Sequence, residues 1–131
     1  MKRYISILSI LSLIFFLLNS CSTTNDSEEL IIRSSSVSEI INIDNSFQNI
    51  SFIVKAWWSN SCGRLHHADI VKSGESYKIK VYGFQKKEEY CATVITKFEA
   101  KVNINVQNPG QYTFQFWESD NSTVDTTITI E

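Results

Sequence analysis

The sequence predicts an all-β domain, an antiparallel sandwich of two sheets built from seven or eight short strands. Apolar and polar residues alternate with a period of two through most of the chain from residue 37 onward, as they do in half-buried strands. Clusters of turn-forming residues separate the alternating segments. No stretch of this region has the 3.6-residue period of an amphipathic helix. A small β-barrel is the alternative that the same pattern permits.

The predicted strands follow the alternation segment by segment. One set of every second residue faces the core and the other faces water. The strands predicted in this way are 37–43, 49–58, 65–71, 75–84, 90–96, 98–107, 111–118 and 124–131. Ile41 and Ile43 are expected to face inward on the first of them. A single inward parity from Tyr90 to Val106 is too long for one strand, so we expect a break near Thr96–Lys97.

The clearest turn signal is Asn108-Pro109-Gly110-Gln111. Pro109 fixes φ at the second position and Gly110 permits a positive φ at the third, as a type II turn requires. Residues 109–116 resemble the "P-G-x-Y-x-hydrophobic-x-hydrophobic" stretch of many bacterial immunoglobulin-like domains. The resemblance implies an immunoglobulin-like sandwich in which Tyr112 is a tyrosine corner, with its ring buried and its hydroxyl bonded to the backbone. Phe114 stands where that family has its second inter-sheet cysteine, so any disulfide here is placed differently.

The first twenty residues have the features of an export signal. Met1-Lys2-Arg3 is basic, and the apolar run Ile5–Leu18 that follows is too short for a good bilayer span of ~20 residues. Leu18-Asn19-Ser20-Cys21 resembles the bacterial lipobox. The resemblance implies cleavage before Cys21 and a lipid anchor on that cysteine, with diacylglycerol and a further acyl chain such as palmitate. Ser22, in place of Asp, favours the outer membrane, and an ordinary secretory signal is the alternative.

The rest of the chain has room for one domain. Residues 21–36 are polar and are predicted to form the lipidated N-terminus and a flexible tether of up to ~50 Å, and residues 37–131 form the sandwich. After loss of the signal, ten basic residues face fourteen acidic ones, a net charge of −4. The basic residues are scattered, which argues against a nucleic-acid partner. No cofactor is expected.

Two cysteines remain if Cys21 carries lipid. Cys62 and Cys91 are then predicted to form a disulfide in the oxidising envelope. A rival metal site would draw on the Cys, His and carboxylate side chains of this region, which are Cys62, His66, His67, Asp69 and Cys91. A disulfide removes the thiolates, and the neighbouring histidines are expected to point to opposite faces of a strand. We therefore predict no metal site, with His66 and His67 as the remaining candidates.

Enzyme chemistry has little support in the sequence. Ser61, one of the two histidines and Asp69 can be arranged on paper as a triad, but no nucleophile, phosphate-loop or metalloprotease motif occurs. The acidic pair Glu88-Glu89 is predicted to be a solvated hairpin tip. The chain is therefore expected not to be an enzyme.

Three aromatic residues have the outward parity of their strands. Trp57, Trp117 and Tyr82 are the candidate binding surface, because exposed aromatic rings mark contact sites for proteins or sugars. The competing interpretation is that the 60–68 loop or residues 37–43 cover these rings.

The preferred function is a non-catalytic envelope lipoprotein that presents an immunoglobulin-like domain to another envelope protein. The first alternative is a glycan-binding module that uses the exposed tryptophans, with Asn103, Asn105 and Gln115 as outward polar groups. The second is an inhibitor, an immunity-type protein or a metal-binding lipoprotein.

Overall fold

The computed structural model describes residues 28–46 and 48–131, and within them it confirms the predicted all-β sandwich. The signal peptide, Cys21 and the first part of the predicted tether lie outside the described residues. The described part of the chain forms eight strands, which are β1 (Leu30–Ser35), β2 (Val37–Ser46), β3 (Asn49–Trp58), β4 (Arg64–Ser73), β5 (Ser76–Lys86), β6 (Thr96–Asn105), β7 (Gly110–Ser119) and β8 (Ser122–Ile130). None of the described segments is a helix that is long and apolar enough to cross a membrane.

The strands form two separate sheets rather than one closed barrel. The larger sheet has the order β1-β5-β7-β8 with β4 on β5, and the smaller has the order β2-β3-β6. The chain passes from the larger sheet to the smaller at Ser36, between β1 and β2. One pair differs from the antiparallel prediction: β5 and β7 are parallel. They run the same way because β6, in the other sheet, carries the chain back between them.

The core lies between the inner faces of the two sheets. Phe52 of β3 is at its centre, with ring centroids of Phe114 and Phe116 from β7 at 4.9 Å and 5.2 Å. The alternation predicted the interior set on β3, β5, β6 and β7. Its members are Ile50, Phe52, Val54, Ala56, Trp58, Tyr77, Ile79, Val81, Ala100, Val102, Ile104, Tyr112, Phe114 and Phe116, all buried.

Tyr112 begins the inward set of β7 and takes the predicted corner position. Its ring is buried, and its hydroxyl donates a hydrogen bond to the Asn108 carbonyl oxygen at 3.0 Å. Gly110 has φ 150°, in the positive region that side chains disfavour. The buried ring and its hydrogen bond agree with the predicted tyrosine corner, and φ of Gly110 is positive as predicted. The type II turn itself is not confirmed, because φ at the third position of such a turn is about 80°.

Two of the strand predictions are wrong. Residues 30–35, predicted to be part of the tether, form β1 and pair with β5, with Leu30 opposite Lys86. The consecutive apolar residues at the start of β1 break the period of two, which hid the strand. Residues 90–96, predicted to be a strand, lie mainly in the connection between β5 and β6. This connection, residues 87–95, is called the 87–95 loop below, and β6 begins at Thr96, where a break was expected.

The burial predicted for the first strand is also wrong. Ile41 and Ile43 are exposed. The pairing of β2 with β3 contains two register shifts, between Val37 and Glu39 and between Ile40 and Asn42, and Ile41 falls within the second, where the alternation is disrupted. Because two shifts restore the original parity, Ile43 again lies opposite the buried Phe52. It stays 38% exposed on β2, the end strand of its sheet.

Candidate interaction surface

A shallow groove of about 340 Å³ lies beside Ser36, where the chain crosses from one sheet to the other, and we call it the seam groove. Its lining residues are Ser34, Ser36, Trp57, Trp58, Ser59, Ile95 and Trp117. The two exposed-parity tryptophans of the sequence prediction therefore line one depression. They come from different sheets, so the alternation within either strand does not show that they meet.

Trp57 reaches the groove because β3 is firmly held at its end. The backbone N–H of Trp57 donates to the Ser36 carbonyl oxygen at 2.9 Å, at the point where the chain changes sheets. The next residue, Trp58, is buried, and its indole N–H donates to the Gln85 side-chain oxygen at 2.9 Å. With Trp58 fixed inward, the strand geometry turns Trp57 outward, where 42% of it is exposed.

Two glycines make the position of Trp58 possible. A Cβ atom added at Gly63 would lie 2.3 Å from the Trp58 side chain, and one added at Gly83 would lie 2.6 Å from its ring. Both distances are far below van der Waals contact. Trp58 therefore fills a slot that only glycine leaves open on each side.

A lysine ammonium group lies over each groove tryptophan. Lys97 Nζ is 4.3 Å from the Trp57 ring centroid, and Lys80 Nζ is 4.6 Å from that of Trp117. These cation–π contacts restrain the two rings and occupy one face of each. Lys97 also pairs with Glu39 at 3.7 Å. The groove is thus an apolar floor with a partly charged rim.

Tyr82, the third predicted surface residue, lies away from the seam groove. It is half-buried on the outer face of the larger sheet and stacks on His67, with centroids 4.6 Å apart and an interplanar angle of 2°. Trp117 shares that outer face but lines the groove, whereas Tyr82 does not. The structure therefore places two of the three predicted aromatics together.

The two neighbouring histidines lie side by side, so the expectation that they point to opposite faces is wrong. The pairing of β4 with β5 shifts register between Leu65 and His67, and such a bulge turns consecutive side chains toward the same side. The Nδ1 atoms of His66 and His67 are 2.5 Å apart. His67 Nε2 lies 3.5 Å from an Asp69 carboxylate oxygen.

Cys62 and Cys91 form the predicted disulfide, with Cα atoms 5.6 Å apart. With Glu89 they are a group of three potential metal ligands within the described residues. Because both sulfurs are in the disulfide, they supply no thiolates to a metal.

Ser61 was the nucleophile of the triad considered from the sequence. Its hydroxyl oxygen accepts a hydrogen bond from the Ala92 N–H at 2.9 Å. The bridge and this bond both tie the 87–95 loop to the loop that follows β3.

Glu89 differs from the predicted solvated tip. Arg64 donates to both of its carboxylate oxygens, one at 3.2 Å. The hydrogen bond from Arg64 is the main cause that holds the Glu89 pKa below its usual value, with the Lys86 N–H adding to it. The ion pair therefore fixes the base of the 87–95 loop to β4.

Two packed sheets with a covered core define a β-sandwich domain. Residues 52–130, more than half of the chain, match the family model described as the ORF11 beta-sandwich domain, and the chain belongs to that family. The match runs from the core residue Phe52 in β3 to the end of β8, so it includes strands of both sheets and both groove tryptophans but not β1 or β2. No curated protein and no solved structure matches the chain.

Proposed function

We propose that the protein is a non-catalytic, lipid-anchored envelope protein whose sandwich binds another protein through the seam groove. The observation that carries this proposal is the convergence of Trp57, Trp117 and Ile95 in one groove, from two sheets and a loop. Aromatic residues at the centre of a depression are the usual anchors of protein interfaces. Their packing against lysines limits the rotamer freedom lost on binding.

A protein partner fits the groove better than a sugar. Stacking of a sugar needs a free ring face, and an ammonium group covers one face of each tryptophan. Of the polar groups predicted for sugar binding, Gln115 lines a separate hollow beside Trp117, and none lines the seam groove. Asn105 bonds to Asn49 at 3.0 Å, and Gln115 contacts Asp125 at 3.4 Å. Neither they nor Asn103 line the groove.

The lipid anchor rests on the lipobox. Leu18-Asn19-Ser20-Cys21 supplies the cleavage site and the modified cysteine, and two or more acyl chains hold a protein stably on a membrane. We place the anchored domain on the outer membrane because Ser22 follows Cys21. Labelling of cells with an alkyne fatty acid should mark the wild-type chain, and Cys21→Ala should abolish the label.

Site-specific photo-crosslinking tests the groove. A photoreactive amino acid at position 95 should give a discrete adduct with one envelope protein in intact cells, and Trp57→Ala or Trp117→Ala should remove that adduct. The matched control is Ile70, an exposed apolar residue of β4 that lines neither the seam groove nor the hollow beside Trp117. An adduct of equal yield from position 70, or one unaffected by both tryptophan variants, would contradict a groove-specific partner. Strong signals on a glycan array that Trp117→Ala removes would favour the sugar-binding alternative instead.

A further inference from the structure

We propose that residues 90–94 of the 87–95 loop lie against the bilayer, with Tyr90 and Val94 in the lipid headgroup region, while Ile95 lines the seam groove. This inference rests on the proposed lipid anchor at Cys21 and adds how the domain stands on the membrane. The loop contacts a lipid surface. Three features support this contact: the chain enters the domain beside the loop, few residues separate that point from Cys21, and the loop exposes apolar side chains.

The chain enters the domain beside the 87–95 loop. Leu30, the first residue of β1, pairs with Lys86, the last residue of β5. The Lys87 N–H donates to the Glu29 carbonyl oxygen at 2.9 Å. The side chains of Lys86 and Lys87 bond to Glu28 and Glu29 at 2.7 Å and 2.8 Å. These bonds fix the segment before β1 to the end of the sandwich from which the loop projects.

The remaining chain is too short to turn the domain over freely. Only seven residue steps separate Cys21 from Glu28, which extend to about 25 Å at most. β5 has 11 residues and spans about 36 Å. To bring the opposite end of the sandwich to the bilayer, the chain before Glu28 would have to run along the whole domain. It is about 10 Å too short, which excludes an orientation with the β4–β5 turn on the membrane and keeps the end that carries the loop near it.

The loop exposes apolar side chains at that end. Among the described residues it holds three of the four most exposed large hydrophobic residues: Tyr90, which is fully exposed, Ile95 at 70% and Val94 at 52%. Ile95 lines the seam groove. The side chains of Tyr90 and Val94 are exposed and do not line that groove. Tyrosine is enriched at the interface between bilayer and water, where its ring meets acyl chains and its hydroxyl meets headgroups.

The loop is held ready for this contact. The disulfide through Cys91 fastens its middle to Cys62, and Ser61 and Ala92 exchange two hydrogen bonds, at 2.9 Å and 3.2 Å. A preorganised loop loses little conformational freedom when it binds a surface. The charges around its base form three ion pairs, Arg64–Glu89, Lys86–Glu28 and Lys87–Glu29, and Glu88 adds one negative charge. The contact should therefore form on a neutral bilayer without anionic lipid.

Quenching of a fluorescent amino acid by spin-labelled lipid tests the proposal on the full lipidated chain. The purified protein is reconstituted in phosphatidylcholine vesicles that contain lipids spin-labelled near the headgroup. A fluorescent amino acid replaces Tyr90 or Val94, and the matched control replaces Val71, which is 61% exposed and lies near the β4–β5 turn at the other end. We expect at least threefold stronger quenching at 90 and 94 than at 71. Tyr90→Ser should halve the quenching at 94, and Val71→Ser should leave it unchanged.

The outcomes separate this inference from the proposed anchor. Mass spectrometry of the mature chain and flotation with vesicles test the anchor alone. A chain without lipid that does not float would refute the anchor, and the orientation with it. A lipidated chain that floats but shows equal quenching at positions 90 and 71 would refute the orientation and leave the anchor standing. A position-90 probe shielded from water but not quenched by lipid, in a protein that sediments as a dimer, would assign the loop to a second copy and also overturn the proposal.

Discussion

The Cys62–Cys91 disulfide closes a loop in which the two cysteines are 29 residues apart. In the chain-entropy account, a closed loop of about 30 residues removes about 12 cal/mol/K of entropy from the unfolded chain, or about 3.6 kcal/mol at 25 °C. A domain of about 100 residues unfolds with an entropy of about 0.21 kcal/mol/K near its melting point. The double variant Cys62→Ala/Cys91→Ala should therefore lose about 3.6 kcal/mol of unfolding free energy and melt about 17 °C lower.

Urea unfolding followed by circular dichroism and tryptophan fluorescence measures this change. The oxidised wild type, the wild type reduced with a phosphine, and the double variant should fall into two groups, with the reduced protein close to the variant. Thr93→Ala, an exposed change in the same loop, is the matched control and should stay within about 0.5 kcal/mol of wild type. A loss below about 1 kcal/mol in both disrupted forms would refute the loop-closure reasoning.

Three further predictions concern the elements that position the seam groove. Gly83→Ala should destabilise the domain by about 1–3 kcal/mol in urea, because its methyl group has to displace the Trp58 ring in a packed core; unchanged stability would mean that the slot is not tight. Tyr112→Phe should cost about 1 kcal/mol, since it removes the hydroxyl donor of the turn before β7 but keeps the ring; a neutral effect would deny the corner its role. The Glu89 pKa is lowered in the fold by Arg64, so the ion pair stabilises the protein above the pKa of unfolded glutamate, and this contribution disappears as the pH falls through the lowered value. The unfolding midpoint, measured from pH 7 to pH 2, should therefore fall less for Arg64→Gln than for wild type. An equal fall of the midpoint in both proteins would contradict the stabilising role of the Arg64–Glu89 pair.

The sequence predicts those parts of the fold in which one strand face is uninterrupted. The apolar sets of β3, β5, β6 and β7 alternate without a break, and the structure buries them between the sheets. Tyr112 and the Cys62–Cys91 pair were also predictable, because a turn signal with a spaced tyrosine and two cysteines left for one bridge are local or countable features. The buried sets follow from the period of a strand alone, whereas the Tyr112 corner also needed the resemblance to immunoglobulin-like domains and the disulfide needed Cys21 to be set aside as the lipidated cysteine.

The parts of the fold that the sequence did not predict are those where strand pairing is irregular or where the apolar residues do not alternate. β1 was missed because its apolar residues are consecutive, and it is a strand only because β5 offers a free edge beside Lys86. The register shifts that expose Ile41 and that bring His66 beside His67 arise from the fit between two strands. A one-residue irregularity reverses the parity of everything beyond it, and a single strand carries no mark of where its partner will require one.

The seam groove shows the same division. By itself the sequence determined that Trp57 and Trp117 lie on the outward parity of their strands, because each is next to a buried neighbour in an alternating segment. Only the tertiary structure decided that the two rings line one groove with Ile95, and that Tyr82 stacks on His67 instead. The period of a strand fixes which way a side chain points within its own sheet. Which parts of the two sheets come together is decided by packing between residues far apart in the chain.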